Sequence, residues 1–138
     1  MKLYTIGYGG RTPYEFLQLL RNHNIATVVD VRLRPDRASM GTYVKAKDPD
    51  RGIQGLLSRA GFQYVSLVEL GNLFLDLGDW RVRYHNLMEK AEDLLTERLL
   101  QVPRPFCLMC AERVANQCHR GIIATFLAGR GWEVQHIE

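Results

Sequence analysis

The residues best suited to chemistry stand close together between positions 110 and 120. Cys110 and Glu112 belong to the run Cys-Ala-Glu, and Cys118, His119 and Arg120 form the run Cys-His-Arg. A thiolate is a nucleophile, imidazoles and carboxylates move protons, and a guanidinium binds anions. These types predict an anion pocket with Cys118 or Cys110 as nucleophile. His119 and Glu112 would act as acid or base, and Arg120 would hold the anion. The alternative is structural: a half-buried thiol, a histidine bonded to a strand-end carbonyl and a glutamate paired with an arginine.

Two earlier segments carry candidate ligand-binding residues. One is a glycine-rich turn, and the other is a run of alternating charges that follows a valine-rich segment. Glycine lets the backbone approach a ligand closely, and arginine grips phosphate or carboxylate at two points. The candidates for substrate or anion binding are Gly7, Tyr8, Gly9, Asp30, Arg32, Arg34 and Arg120. The structural alternatives are a tight turn for the glycines and a mutual salt bridge for Asp30 and Arg32.

Metal binding is the other chemistry that cysteine and histidine suggest. Cys107 and Cys110 are three residues apart in a predicted strand, so their side chains point to opposite faces of a sheet. A closed tetrahedral site needs all its ligands on one side. We therefore expect no metal and no cofactor, with an open site of Cys118, His119 and a carboxylate as the remaining alternative. Cys107 is expected to be a core residue.

Strand-like and helix-like segments alternate along the chain. The predicted helices cover about 13–23, 53–60, 81–101 and 117–130, and the predicted strands cover 2–8, 26–32, 62–67, 105–111 and 133–137. Thr12, Pro13 and Glu15 are a helix start signal, and Asn24 suits a left-handed helix end. Alternation of this kind predicts one three-layer α/β/α domain over residues 1–138, Rossmann-like, with a mainly parallel sheet of about five strands.

The predicted fold places the candidate residues at one edge of the sheet. With the predicted strands numbered in chain order, we expect the order 3-2-1-4-5 in the sheet. Ligands of open parallel sheets bind beyond the carboxyl ends of the strands. The glycine turn, the Asp30 segment, Glu69 and the cysteine segments all follow strand ends. The long stretch from 34 to 51 would be a lid, with Tyr43 and Lys45 closing over the site.

Composition limits the possible classes of protein. Of the 138 residues, 46% are hydrophobic and 24% are charged, which excludes a disordered chain. There is no apolar run long enough for a membrane span, and the first residues do not resemble a signal peptide. Three cysteines, an odd number, suggest free thiols and a cytoplasmic location rather than a disulfide framework.

Several of these segments together resemble domain-of-unknown-function family 488. The resemblance rests on the runs 5–10 (Thr-Ile-Gly-Tyr-Gly-Gly), 29–32 (Val-Asp-Val-Arg), 70–71 (Leu-Gly), 110–112 (Cys-Ala-Glu) and 118–120 (Cys-His-Arg), and extends over about 3–137. It implies a small α/β domain and strengthens the candidate sites, but it names no reaction. The chain differs from the family pattern at Val114 and Ala115, where Asp-Pro is typical, and at Asn72, where a second glycine is common.

Three functional hypotheses follow. The first is a small hydrolase-type or transferase-type enzyme that binds a phosphate-bearing substrate, such as a nucleotide or a nucleic-acid end. The second is a nucleic-acid-binding module without catalysis, since 14 of the 18 basic residues are arginine, although the net charge is only +3. The third is a thiol redox or sulfur-transfer protein. No membrane partner is expected, and the oligomeric state is left open.

Overall fold

Strands and helices alternate along the chain in the computed structural model, which describes residues 1–38 and 41–138. Within these residues the structure has five strands and four α-helices longer than a single turn. The strands are β1 (Lys2–Gly7), β2 (Thr27–Asp30), β3 (Gln63–Ser66), β4 (Phe106–Cys110) and β5 (Glu133–Ile137). The helices are α1 (Pro13–Asn22), α2 (Gly52–Arg59), α3 (Trp80–Thr96) and α4 (Arg120–Ala128).

Local signals set the ends of α1 as predicted. The hydroxyl of Thr12 accepts a hydrogen bond from the backbone N–H of Glu15 at 3.1 Å, which satisfies one of the free donors at the helix start. Pro13 occupies the first turn, where its missing N–H costs nothing. Asn24 has a φ of 53°, so it ends the helix in the left-handed conformation that asparagine tolerates.

Helices cover both faces of the sheet, which confirms the three-layer α/β/α prediction. On one face, α1 and α2 pack through Phe16 and Leu57 against a cluster that includes Val28 and Met109. On the other face, α3 and α4 contribute Tyr84 and Leu127 to a cluster with other residues of the same strands. Each buried side chain of this size contributes about 1.5–3 kcal/mol, so both layers stabilise the sheet.

The strand order differs from the predicted one. All pairings are parallel, and the order is β3-β2-β4-β1-β5, so β4 lies between β2 and β1. The predicted neighbours β1 and β4 are adjacent, with Gly7 opposite Cys110, but β2 pairs with β4 rather than with β1. The physical reason is burial: β4, whose residues are all buried, takes the central position of the five strands, whereas β1, which begins with partly exposed residues, lies beside the edge strand β5.

The last helix also begins later than predicted. A single 3-10 turn covers Ala115–Gln117, Cys118 is extended, and α4 starts only at Arg120. Val114 and Ala115 lack the capping oxygen that Asp would supply, and the cap residues Val114 and His119 make no side-chain cap hydrogen bond. The Glu138 carboxylate accepts from the N–H of Ala115 at 2.8 Å instead. The sequence suggested that Cys118 lies in the first turn of a helix capped by Asn116. In the structure Cys118 lies before α4 instead.

The described part of the stretch from 34 to 51 is anchored to the core by its buried residues Pro35 and Tyr43. It forms 3-10 turns at Pro35–Arg37 and Gly41–Tyr43, and the ring of Tyr43 is fully buried beside Phe16. The Tyr43 hydroxyl donates to the carbonyl of Arg11 at 3.1 Å. Tyr43 is thus a core residue and not part of a lid, and positions 39 and 40 of the predicted lid lie outside the described residues. In the described parts of the chain, no helix has the length and apolar character needed to cross a bilayer.

Candidate functional site

The corrected strand order moves the point at which a ligand site is expected. The chain leaves β2 towards β3 on one side and leaves β4 towards β5 on the other, so the connections diverge between β2 and β4. A crevice forms where neighbouring connections diverge in this way. A cleft of about 470 Å³ lies at this position. The predicted site residues that line it are Tyr8, Arg32, Arg34, Cys110, Glu112 and His119.

Asp30 and Arg32 form a buried ion pair in the wall of this cleft. Arg32 donates from Nε to Asp30 Oδ1 at 2.8 Å and from Nη2 to Oδ2 at 2.6 Å. Burial opposes the charge of Arg32, but the hydrogen bonds and charge of Asp30 outweigh it and raise the Arg32 pKa above its usual value. Tyr64 donates to the same carboxylate at 2.6 Å. Asp30 therefore supports Arg32, as the structural alternative held, and does not itself line the cleft.

Tyr8 lies under Arg32. The Arg32 guanidinium donates to the Tyr8 hydroxyl at 3.2 Å and stands 5.3 Å from the centre of its ring. The Tyr8 ring also stacks on Tyr43 with centroids 4.4 Å apart. Tyr8 is only 4% exposed, so it orients Arg32 and presents an edge to the cleft.

The glycine turn contacts protein backbone rather than open space. The N–H groups of Tyr8 and Gly9 donate to the carbonyls of Cys110 and Ala111. A Cβ on Gly7 would lie 1.7 Å from the carbonyl oxygen of Glu112. In the observed order the connections after β1 and β4 cross each other, and glycine is needed for that crossing. These N–H groups are therefore not free to bind an anion.

Arg120 is fully buried and reaches back to the loop that follows β4. Its Nη1 donates to the carbonyl of Glu112 at 2.5 Å and to Cys110 Sγ at 3.0 Å, and its Nη2 donates to the carbonyl of Arg113 at 3.0 Å. Burial lowers the pKa of this guanidinium. Within the described residues, Arg120 has no salt bridge with a carboxylate, and its Nε has no hydrogen-bond partner. Arg120 therefore organises the loop from below and does not line the cleft.

The structure brings two of the three cysteines together. A disulfide bond joins Cys110 at the end of β4 to Cys118 before α4, so the expectation of three free thiols is wrong. Cys110 lines the cleft, whereas Cys118 lines a separate depression beside Trp80. Cys107 is fully buried on the opposite face of the sheet, which confirms it as a core residue, and burial raises its thiol pKa.

His119 is held by a single backbone acceptor. Its Nε2 lies 2.8 Å from the carbonyl oxygen of Val31, and because a carbonyl only accepts, Nε2 carries the proton. The lone pair of Nδ1 then faces Cys118 Sγ at 3.5 Å. Burial lowers the pKa of His119 to about 4, so the ring is neutral near pH 7. The ring also packs edge-on against Tyr84.

Glu112 does not form either of the ion pairs that the sequence suggested. Its carboxylate has no salt bridge with Arg32 or Arg120 in the described chain, and Oε2 lies 3.5 Å from Cys110 Sγ. One ligand atom each from Cys110, Glu112 and Cys118 lies within 4.8 Å of the others. A carboxylate and two sulfurs are a donor set that suits a metal such as zinc.

Some residues that line the cleft were not among the predicted site residues. Arg37 lines it near Arg34, and the far wall comes from the segment that follows the Leu70-Gly71 run. A Cβ on Gly71 would lie 2.5 Å from Leu33 Cα, so glycine lets the two walls meet. The signal in that segment was the absence of helical or strand periodicity. Its cleft residues are Asn72, Leu73, Leu75 and Asp76.

Fold and site together define a small α/β protein with a cleft, lined by arginines and leucines, at the switch point of a parallel sheet. The family model for the domain of unknown function DUF488 matches residues 12–127, so the chain belongs to that family. No curated protein and no solved structure matches the chain.

Proposed function

We propose that the protein is a small enzyme that binds a phosphate-bearing ligand in the cleft between β2 and β4. The observation that carries the proposal is the gathering of Arg32, Arg34 and Arg37 on one wall, with Cys110 and Glu112 on the cleft floor. A nucleotide or a phosphorylated nucleic-acid end has the matching chemistry. The reaction would be of hydrolase or transferase type.

The arginines differ in how much charge each can offer. The charge of Arg32 is balanced by Asp30, so Arg32 contributes little net charge to the binding of an anion and serves mainly to shape the cleft wall. Arg34 is exposed and forms a salt bridge with the exposed Asp36 at 3.1 Å. An exposed salt bridge of this kind is weak, so a phosphate could take the place of the Asp36 carboxylate. Arg37 is exposed and forms no salt bridge in the described part of the chain. Arg34 and Arg37 are therefore the proposed anion-binding pair.

The cleft also offers apolar surface beside these charges. Leu73 and Leu75 are 66% and 62% exposed, and both line the cleft together with Leu33. Exposed leucines of this kind suit the apolar or planar part of a ligand. A ligand with a phosphate next to a base or sugar would use both surfaces.

The chemical groups follow from the same geometry. In the reduced protein Cys110 is the proposed reactive cysteine, because it lines the cleft and the Arg120 guanidinium donates to its sulfur at 3.0 Å. Glu112 is the proposed proton carrier, since its carboxylate has no cationic partner among the described residues. His119 is a proposed structural residue of the site, since its ring nitrogens contact the carbonyl of Val31 and the sulfur of Cys118. A reducing, cytoplasmic location is part of the proposal because it keeps the thiols available.

Calorimetric titration tests the binding step. Inorganic phosphate, pyrophosphate, adenosine monophosphate and a 5′-phosphorylated dinucleotide would be compared on the reduced protein. Changing both Arg34→Gln and Arg37→Gln should weaken binding about tenfold or more, because two charge-assisted contacts are lost. Arg21→Gln is the matched control, since Arg21 is exposed in the last turn of α1, at the other end of the sheet.

The double variant and the Arg21→Gln control should have the same thermal midpoint as the unmodified protein, because the altered side chains are exposed. Equal affinities for the double variant and for the control would reject the proposal. Binding of unphosphorylated DNA or RNA that weakens steeply with salt, with no preference for a phosphorylated end, would favour the nucleic-acid-binding module instead.

A further inference from the structure

We propose that Cys110, Glu112 and Cys118 bind a zinc ion at the floor of the cleft. The three side chains come from the end of β4, the loop after it and the residue pair before α4, and their ligand atoms lie within 4.8 Å of one another. The cysteines are 3% exposed or less, so water competes poorly for them. The site stands on its own geometry and does not depend on the proposed phosphate ligand.

The donor set and its spacing suit zinc. Zinc prefers thiolate, imidazole and carboxylate ligands, with Zn–S distances of about 2.3 Å, so two thiolates on one tetrahedral ion lie about 3.8 Å apart. The Cα atoms of Cys110 and Cys118 are 7.3 Å apart. That separation exceeds the range of about 4.4–6.8 Å usual for disulfides, so in the reduced protein the two sulfurs can move apart to the spacing that one zinc ion requires.

Hydrogen-bond donors of Arg120 lie beside both sulfurs. Arg120 donates from Nη1 to Cys110 Sγ at 3.0 Å, and its backbone N–H lies 3.5 Å from Cys118 Sγ. Donors of this kind orient and stabilise the thiolates of metal sites. Two thiolates, one carboxylate, a divalent cation and the buried guanidinium sum to zero charge. The fully buried Arg120, which has no carboxylate salt bridge in the described chain, would then face a matched anionic cluster.

The Cys110–Cys118 disulfide must first be reduced by a dithiol, which supplies two electrons and two protons. Zinc then forms two Zn–S bonds and one Zn–O bond, and the two thiol protons are released to the buffer. Three protein ligands leave one tetrahedral position for water or an oxygen of a ligand. Because Cys110 and Glu112 line the cleft, that position is reached from the cleft. In this arrangement Cys110 is a ligand rather than the nucleophile and Glu112 is a ligand rather than the proton carrier, and the cobalt titration separates these roles.

Cobalt substitution provides a direct readout. The full-length protein would be reduced, stripped of metal with a chelator under anaerobic conditions, and titrated with Co²⁺ and then with Zn²⁺. We expect one cobalt per chain, with absorption bands typical of tetrahedral thiolate coordination that zinc abolishes. Cys118→Ser should halve the thiolate-to-cobalt intensity and weaken zinc binding at least tenfold. Cys107→Ala is the control, because Cys107 lies on the other face of the sheet and should not change the titration.

A second variant keeps the proposal testable if Cys118→Ser fails to fold. Glu112→Gln leaves both thiols in place at a partly exposed position, and we expect shifted cobalt bands and weaker binding at an unchanged thermal midpoint. Titrations in which Glu112→Gln, Cys118→Ser and the unmodified protein are identical would overturn the proposal. So would a Cys110–Cys118 disulfide that forms in air despite saturating zinc, detected as a cross-linked peptide, which would assign the pair to thiol redox chemistry.

The outcome is distinguishable from that of the phosphate experiment. The Arg34→Gln and Arg37→Gln protein keeps all three zinc ligands, so it should bind cobalt normally. Loss of phosphate binding with normal cobalt spectra, or the reverse, would assign each failure to its own proposal.

Discussion

Asp30 and Arg32 have the side chains expected of ligand-binding residues, but in the structure Asp30 pairs with Arg32 and holds it in place. Both carry charge at the end of β2, yet the Asp30 carboxylate is fully buried and its oxygens accept from Arg32 and Tyr64. A buried charge must be matched locally, so these contacts are set by desolvation. The cleft receives only the outer edge of Arg32, held in one orientation.

The buried pair predicts a large loss of stability for a nearly isosteric change. Asp30→Asn keeps the shape but leaves the Arg32 guanidinium without its counter-charge, so the free energy of unfolding should fall by about 3–5 kcal/mol. Urea denaturation measures this. Asp36→Asn removes the carboxylate of an exposed arginine pair and should produce no resolvable change. Similar losses in the two variants would contradict the assignment of Asp30 as a buried support.

At the scale of elements, the crossing of the connections after β1 and β4 explains why the first turn is rich in glycine. The turn after β1 lies against the loop after β4, and its N–H groups pair with the carbonyls of Cys110 and Ala111. The same loop is held from below by Arg120. Cys110 and Glu112 therefore have a fixed place on the cleft floor, because the loop that carries them is bonded on two sides.

The crossing predicts that a single methyl group disturbs this region. In Gly7→Ala the new Cβ would lie 1.7 Å from the Glu112 carbonyl oxygen, so one backbone segment must move. We expect a loss of about 3 kcal/mol in the free energy of unfolding. Gly78→Ala is the control, because its Cβ would meet nothing within 4 Å, and its effect should stay below about 1 kcal/mol. An unfolding curve for Gly7→Ala that overlays that of the control would show that the two connections do not pack as described.

At the scale of the whole molecule, the two core layers bury polar rings together with apolar ones. Burial raises the pKa of Tyr43 to about 12, and burial raises the pKa values of Tyr64 and Tyr84 above their usual range. The folded protein therefore holds these phenols in their neutral form at pH values where the unfolded chain would lose the protons.

This difference predicts a decline of stability in alkali. A raised pKa in the folded state contributes stability below pH 10, the ordinary value for tyrosine, and that contribution is lost as the pH rises towards 12. Urea denaturation at a series of pH values should show the free energy of unfolding falling over this range. Tyr43→Phe should make the decline shallower, whereas Tyr14→Phe, at a residue 71% exposed, should leave its slope unchanged. A decline of the same slope in all three proteins would show that Tyr43 titrates as in the unfolded chain.

The sequence by itself determined the alternation of strands and helices, the start of α1 at Thr12 and its end at Asn24, the core position of Cys107, and the gathering of polar groups beyond the strand ends. These features depend on residues a few positions apart, whose periodicity and capping chemistry can be read directly. Only the tertiary structure decided that β4 lies beside β2, that Arg120 supports the loop after β4, and that Cys110 meets Cys118. Such pairings are selected by the burial of one segment against distant segments, and local patterns carry little information about which distant partner fits.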